Sequence, residues 1–178
     1  MASEHPRFVQ VQVRGVAVEG ASKRLVLLLT DPGGRLLLPI PLSSAEARGL
    51  ARLLKGGRIG RPSSHDLLSA TIRALGARLI RVDLRGVEGE DFKADVILLD
   101  SRARRVRLDA RAVDALALAL QCAAPVRAAR AVLEAAKLPA EGPTAPRPPL
   151  AVDAADTAGR ARLMARLADL APEDLANC

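Results

Sequence analysis

The sequence predicts an α+β fold, a mixed and mainly antiparallel sheet with hairpins, packed against several helices. Three observations predict it. FVQVQVRGVAV at 8–18 alternates apolar and polar residues, the period of a half-buried strand. Two pairs of apolar runs are joined by turn residues, Asp31-Pro32-Gly33-Gly34 in one case and Asp100-Ser101-Arg102 in the other. Helical stretches are interleaved irregularly with these runs, unlike the regular strand–helix alternation of a parallel sheet.

After the strand at 8–18, RLVLLLT (24–30) turns through DPGG into RLLLPI (35–40) as a hairpin. SSAEARGLARLLKG then sets Ala47, Leu50, Ala51 and Leu54 on one helical face, and Gly56-Gly57 stops it. GRPSSHDLLSATIRALG (60–76) opens as a turn and becomes a second helix, with Leu68, Ile72 and Leu75 on one side. ARLIRVDL (77–84) reads as a strand. FKADVILLD (92–100) and RRVRLDA (104–110) make a second hairpin. DALALALQCAA (114–124) is a strongly apolar helix ended by Pro125, and a short helix from Ala129 to Lys137 closes the domain. The composition then shifts. A proline-rich linker covers 138–152, and TAGRARLMARLADL restores helical spacing through Leu163, Leu167 and Leu170. The expected organisation is a domain over 1–137, the linker, and a helical tail over 153–178.

Composition removes several function classes. The 178 residues include no Trp or Tyr, and Phe8 and Phe92 are the only aromatic ones. A single-strand binder that stacks bases on aromatic side chains is therefore excluded. The net charge is +7, and the surplus belongs to the main domain, because residues 152–178 hold three basic and five acidic side chains. Such a surface admits a phosphate-bearing partner. Cys122 and Cys178 match no metal-ligand spacing, and two isolated thiols fit a reducing compartment. MASEHPRFVQ shows no apolar run behind a basic start, and no run in the chain reaches membrane-spanning length. A cytoplasmic protein without membrane contact is expected.

Two polar clusters carry the candidate chemistry. In Arg61-Pro62-Ser63-Ser64-His65-Asp66, one reading is purely local: Ser63 and Asp66 form a capping box, and His65 is an exposed first-turn residue. The other is functional. Histidine is the side chain suited to proton transfer near neutral pH, arginine holds phosphate through two donors, and a helix start offers amides to an anion. In LDARAVDALALAL, Asp109, Arg111 and Asp114 straddle a strand-to-helix junction. There Asp114 complements a helix dipole and pairs with Arg111, or else Asp109 and Asp114 hold a divalent metal while Arg111 steadies a phosphate. Spacing fits both accounts.

The two clusters, in their order along the chain, resemble the bifunctional nuclease family. The pattern runs through V-x-V-x-G-V at Val11 to Val16, LPI at Leu38 to Ile40, A-E-A at Ala45 to Ala47, and R-P-S-S-H-D-L at Arg61 to Leu67. It continues through Gly76-Ala77, F-x-A at Phe92 to Ala94, and D-A-R-x-x-D-A-L-A-L-A at Asp109 to Ala119, and so covers about residues 8–137. Pro172-Glu173-Asp174-Leu175 also matches the family's ending. The chain departs from the family pattern where Ala112 and Val113 replace proline and serine, and where Gln121 stands in place of arginine.

The resemblance implies activity on DNA and RNA, and an oligomer, here a homodimer. On the nuclease hypothesis, His65, Asp66, Asp109 and Asp114 would be the catalytic set, and Asp109 and Asp114 would bind Mg²⁺ or Mn²⁺. Arg61 and Arg111 would bind the phosphate. The alternative is a regulatory or assembly module of the same fold, without catalysis, that binds an anionic ligand or a protein partner. The losses at Ala112 and Val113 favour that alternative, as does the very apolar face of DALALALQCAA, more than one small domain is expected to bury. A sequence-specific DNA reader is disfavoured, because the helix after His65 offers only Arg73 to a base edge.

Overall fold

The computed structural model describes residues 7–19, 24–34, 36–56, 61–89, 91–136 and 138–139. The expected tail helix lies outside them. The elements are β1 (Phe8–Val18), β2 (Leu25–Thr30), β3 (Leu36–Leu42), α1 (Ser44–Leu54), α2 (Ser64–Ala74), β4 (Arg78–Glu88), β5 (Asp91–Leu99), β6 (Arg105–Arg111), α3 (Ala112–Cys122), β7 (Val126–Ala129), α4 (Arg130–Ala136) and β8 (Leu138–Pro139). The fold is α+β, with a mixed and mostly antiparallel sheet. The chain divides into two compact units, Met1–Gln12 with Arg58–Lys137, and Val13–Gly57 with Leu138–Cys178.

In the second unit the later part of β1 is followed by β2, β3 and β8. Val26 to Leu29 are all buried, which an unbroken aliphatic run achieves when both faces of a strand are covered. The turn that follows is held by Asp31, whose carboxylate accepts from the Leu36 N–H at 2.8 Å. Gly34 has φ +68°, a conformation suited to glycine, and its N–H returns to the Asp31 carbonyl at 2.9 Å. α1 packs on β2 and β3 through Ala47, Leu50 and Ala51. Ser43 starts it with a reciprocal cap: its hydroxyl accepts from the Glu46 N–H, and Glu46 accepts from the Ser43 N–H.

In the first unit the strand order is β6-β5-β4-β7, followed by the opening residues of β1. β4, β5 and β6 form antiparallel ladders; β7 runs parallel to β4, with Val82 opposite Val126, and antiparallel to β1. Val82, Leu84, Ala94, Val96 and Leu98 are buried. α3 packs against β4, β5 and β6, α2 against α3 and β4, and α4 against β4 and β7. Several alternate positions of the same strands are charged, with Asp83 opposite Asp95 and Asp95 opposite Asp109. Arg127 on β7 donates to both Asp83 oxygens at 2.8 Å, Arg81 donates at 2.9 Å, and Arg127 also lies over the Phe8 ring of β1 at 4.7 Å.

The structure departs from the sequence reading in three places, the first being β8, where Leu138–Pro139 pairs with β3 at the start of the expected linker. β7 occupies Val126–Ala129, between Pro125 and the last helix, where no strand is expected. On α2 the buried residues are Ser69 and Ile72, whereas Leu68 and the 72 % exposed Leu75 stand outside. Small residues let the helices approach: the Ser69 hydroxyl lies 3.5 Å from the Cys122 thiol of α3, which rotates α2 one position away from its leucines. Gly76 ends α2 at φ +70°, and a side chain there would start 3.2 Å from the Ser101 Cβ.

The β5–β6 turn is organised by Asp100, which accepts from the Arg102 and Arg104 N–H groups at 2.9 and 2.8 Å and from the Arg104 guanidinium. The Arg104 amide is the main cause that holds the Asp100 pKa below its ordinary 3.8. Ala103 within this turn has φ +59°. Ala103→Gly is expected to stabilise the protein by about 1 kcal/mol by removing that left-handed strain, read by urea unfolding.

Burial alone would raise the Asp83 pKa, but hydrogen bonds from Arg127 and Arg81 and their charges outweigh it and bring the pKa below 3.8. A carboxylate with a depressed folded pKa stabilises fully above its unfolded value and loses that contribution as pH falls through its folded value. Stability from Asp83 and Asp100 should therefore be constant near neutrality and decline below pH 3.8. Asp83→Asn should cost about 3 kcal/mol at neutral pH and flatten the acid-side decline in a urea-unfolding pH series.

Candidate active site at the start of two helices

The start of α2 meets α3 in two places: His65 approaches Asp114 in the first turn of α3, and Asp66 meets Gln121 in its last turn. Ser63 precedes α2 as its cap: its hydroxyl accepts from the Asp66 N–H at 3.2 Å, and its own N–H donates to Asp66 Oδ2 at 2.7 Å. The other Asp66 oxygen, Oδ1, accepts from the Gln121 side-chain amide of α3. Asp66 is thus both the third residue of the α2 capping box and a tie between the helices. Gln121 Oε1 is buried with no hydrogen-bond partner among the described residues.

His65, one residue earlier, points its Nε2 toward Asp114 Oδ1 at 3.5 Å. Asp114 Oδ2 accepts from Arg111 Nε at 2.9 Å. Arg111 is the residue that caps α3, and it makes no side-chain cap bond there, so the amides at this helix start rely on other groups. The first-turn acid of α3 is Asp114, placed where a negative charge offsets the helix dipole. His65, Asp114 and Arg111 are all partly solvent-exposed, which leaves an open face. Arg61 is exposed just ahead of the Ser63 cap.

Asp109 stands apart from this group. It lies on β6 opposite Asp95, and its carboxylate is engaged by Arg85 of β4, which also contacts Asp95 at 3.0 Å. The six residues expected from the sequence therefore divide. His65, Asp114 and Arg111 form one contact group, Asp66 is held by Ser63 and Gln121, Asp109 is held by Arg85, and Arg61 is exposed two residues before the α2 cap. Among the described residues, no group of three His, Cys, Asp or Glu side chains is placed to enclose a metal ion.

Two participants are absent from the expected set. Gln121 drew notice only as a departure from arginine, yet its amide joins Asp66 across 55 residues of chain. Arg85 continues the alternation Arg81-x-Asp83-x-Arg85, the signal that could have identified a charged sheet face. Chemically, the arrangement can orient an imidazole against a carboxylate that is itself fixed by a guanidinium. It does so beside two helix starts, whose amides and dipoles favour an anion.

Residues 26–141 match the family model of the bifunctional nuclease domain. Two proteins of Mycobacterium tuberculosis are similar to the chain, uncharacterized protein MT1877 of strain CDC 1551 / Oshkosh and uncharacterized protein Rv1829 of strain ATCC 25618 / H37Rv. Each is 35% identical over 129 residues, which covers 72% of this chain and 76% of the relative. No helix among the described residues is long and apolar enough to cross a membrane. The extent of the family match and the shared identity with these relatives together establish that the chain belongs to the bifunctional nuclease domain family.

Proposed function

We propose that the protein is a metal-dependent nuclease of a reducing, cytoplasmic compartment, acting on DNA and RNA with little sequence preference. The observation that carries this reading is the contact between His65 and Asp114, with Arg111 on the other carboxylate oxygen. His65 moves the proton, Asp114 orients the imidazole, and Arg111 and Arg61 neutralise the phosphodiester. Asp66 holds the start of α2 in place. The charge surplus of +7 draws a polyanion to the surface.

A bound Mg²⁺ or Mn²⁺ would polarise the phosphoryl oxygens. The described side chains do not form a complete cage, but such ions are commonly held by one or two carboxylates together with substrate phosphate and water. Asp114 is the carboxylate assigned to it. Asp109 joins only by leaving Arg85.

One observation favours a second reading, a regulatory or assembly module that binds an anion without cleaving it. Asp66, Asp109 and Asp114 already accept hydrogen bonds from Gln121, Arg85 and Arg111 respectively. In either reading the protein acts as a homodimer.

Cleavage of labelled single-stranded RNA and of plasmid DNA, with Mg²⁺, Mn²⁺ or EDTA, tests the assignment. Cutting should require metal and fall by about 100-fold or more in both His65→Ala and Asp114→Asn, with unfolding curves close to the parent. Equal cutting by the parent and both variants would refute it. Absence of cutting, with oligonucleotide retention that is lost in Arg111→Gln, would establish the second reading.

A further inference from the structure

The β5–β6 hairpin carries more positive charge than its own fold uses. Between Val96 and Leu108 the chain holds Arg102, Arg104, Arg105 and Arg107 against one acid, Asp100, which takes the Arg104 guanidinium. The strand register adds Arg78 at the start of β4, because Arg78 pairs with Leu99 and Leu99 with Arg105. Arg78, Leu99 and Arg105 thus make one row across the three strands, and Arg81, Ile97 and Arg107 make the next.

The acids of this face are already balanced. Asp83, Asp95 and Asp109 form a further row, and Arg127 and Arg81 on Asp83, with Arg85 on the other two, supply three charges to it. Arg107 reaches Asp95 only at 3.8 Å, and its side chain is 74% exposed. Arg78, Arg102 and Arg105 are exposed, and their guanidinium groups have no ion-pair or hydrogen-bond partner among the described residues.

These arginines are also in line with the helix-start site. Arg105, Arg107, Asp109 and Arg111 alternate along β6 and share one of its faces. Two residues of strand advance about 6.8 Å, comparable with the step between successive phosphates of an extended nucleic-acid strand. From Arg105 to Arg111 the row covers about 20 Å. It ends where Arg111 contacts Asp114, the carboxylate that His65 approaches. Asp109 interrupts the row, but its charge is met by Arg85.

We propose that the β5–β6 hairpin is a docking surface for one nucleic-acid strand, held through its phosphates by Arg78, Arg102, Arg105 and Arg107 and laid along β6 toward Arg111. A guanidinium grips phosphate oxygens through two parallel donors, and a linear array of them fits a linear polyanion. The arginine row includes no aromatic ring for a base to stack on, so the contact reads backbone rather than sequence. Asp100 fixes the turn by accepting from the Arg102 and Arg104 N–H groups, which presents the arginines on an ordered loop and lowers the cost of binding. The inference rests on nucleic acid being the partner and adds a surface beyond the helix starts; it does not depend on cleavage.

Anisotropy of a labelled single-stranded oligonucleotide, in EDTA so that no cutting occurs, tests it on the full chain. Arg105→Gln/Arg107→Gln should weaken binding by about 10-fold or more, and the log–log salt dependence should become shallower by about 1.4, two single-strand phosphate contacts at about 0.7 each. Arg78→Gln/Arg102→Gln, which removes no ion pair seen among the described residues, should act in the same direction. Arg48→Gln/Arg52→Gln on α1 removes the same charge from exposed positions elsewhere and should bind as the parent does. All three variants should unfold at the parent's midpoint. Hairpin variants that bind no more weakly than the α1 variant overturn the surface and leave nucleic acid as the partner. A parent that fails to bind even at low salt overturns both, and its co-sedimentation with phosphatidylserine vesicles would then assign the arginines to a lipid surface.

Discussion

Asp83 is a carboxylate 4 % exposed in the middle of a sheet, and the first unit is arranged around keeping it ionised. An unpaired charge at that depth is costly, so Asp83 requires the two-pronged contact from Arg127 and the further donor from Arg81. Arg127 is on β7, the one strand here that runs parallel to its β4 neighbour. The ion pair therefore fastens a parallel pairing of strands 44 residues apart, and Arg127 extends the linkage to β1 through Phe8. Beyond Asp83, the same row passes through Asp95 to Asp109 at the edge, with Arg85 spanning the last two. Burial decreases along this row, from an enclosed pair at its centre to a carboxylate that is 77% exposed. Contributions to stability should decrease with it, since exposed pairs add little.

That gradient bears on the metal assignment. A carboxylate can exchange an arginine for a cation only if water or substrate can reach it. Asp83 is enclosed and serves the fold. Asp109 is accessible, but its partners are strands. Asp114 is accessible and next to a histidine, and this combination of access and neighbours singles it out among the carboxylates expected from the sequence.

What the sequence conveyed follows from the range of the forces involved. Period-two alternation in 8–18, the DPGG turn and the Ser63-x-x-Asp66 cap are all decided within a few residues, and each is present as expected. β7 was not legible because VRAA has no length or alternation of its own. It becomes a strand through β4, more than forty residues earlier, and through β1. The orientation of α2 failed to follow its leucines for a similar reason: the decisive contact is Ser69 against Cys122, a fit of small groups that an apolar pattern does not encode. In the site, the residue types were visible locally, but Gln121 on Asp66 and Arg85 on Asp109 are long-range pairings that set what those carboxylates can do.

The two helix starts illustrate why a family pattern and its chemistry have to be argued apart. Each places an acid at the third helical position, Asp66 in α2 and Asp114 in α3. Asp66 completes a capping box, so a requirement for it follows from helix formation whether or not any reaction occurs. Asp114 has no such duty in a capping box, because the residue before α3 is Arg111, which offers no side-chain acceptor, and Asp114 is instead turned toward His65 and Arg111. Val113 is the second residue of α3, inside the helix rather than at its cap, and the His65–Asp114–Arg111 contacts are in place beside it. The departure from the family motif therefore falls on the start of a helix that is otherwise buried through Ala115 to Ala119, while the groups able to move a proton and hold a phosphate remain at its exposed edge.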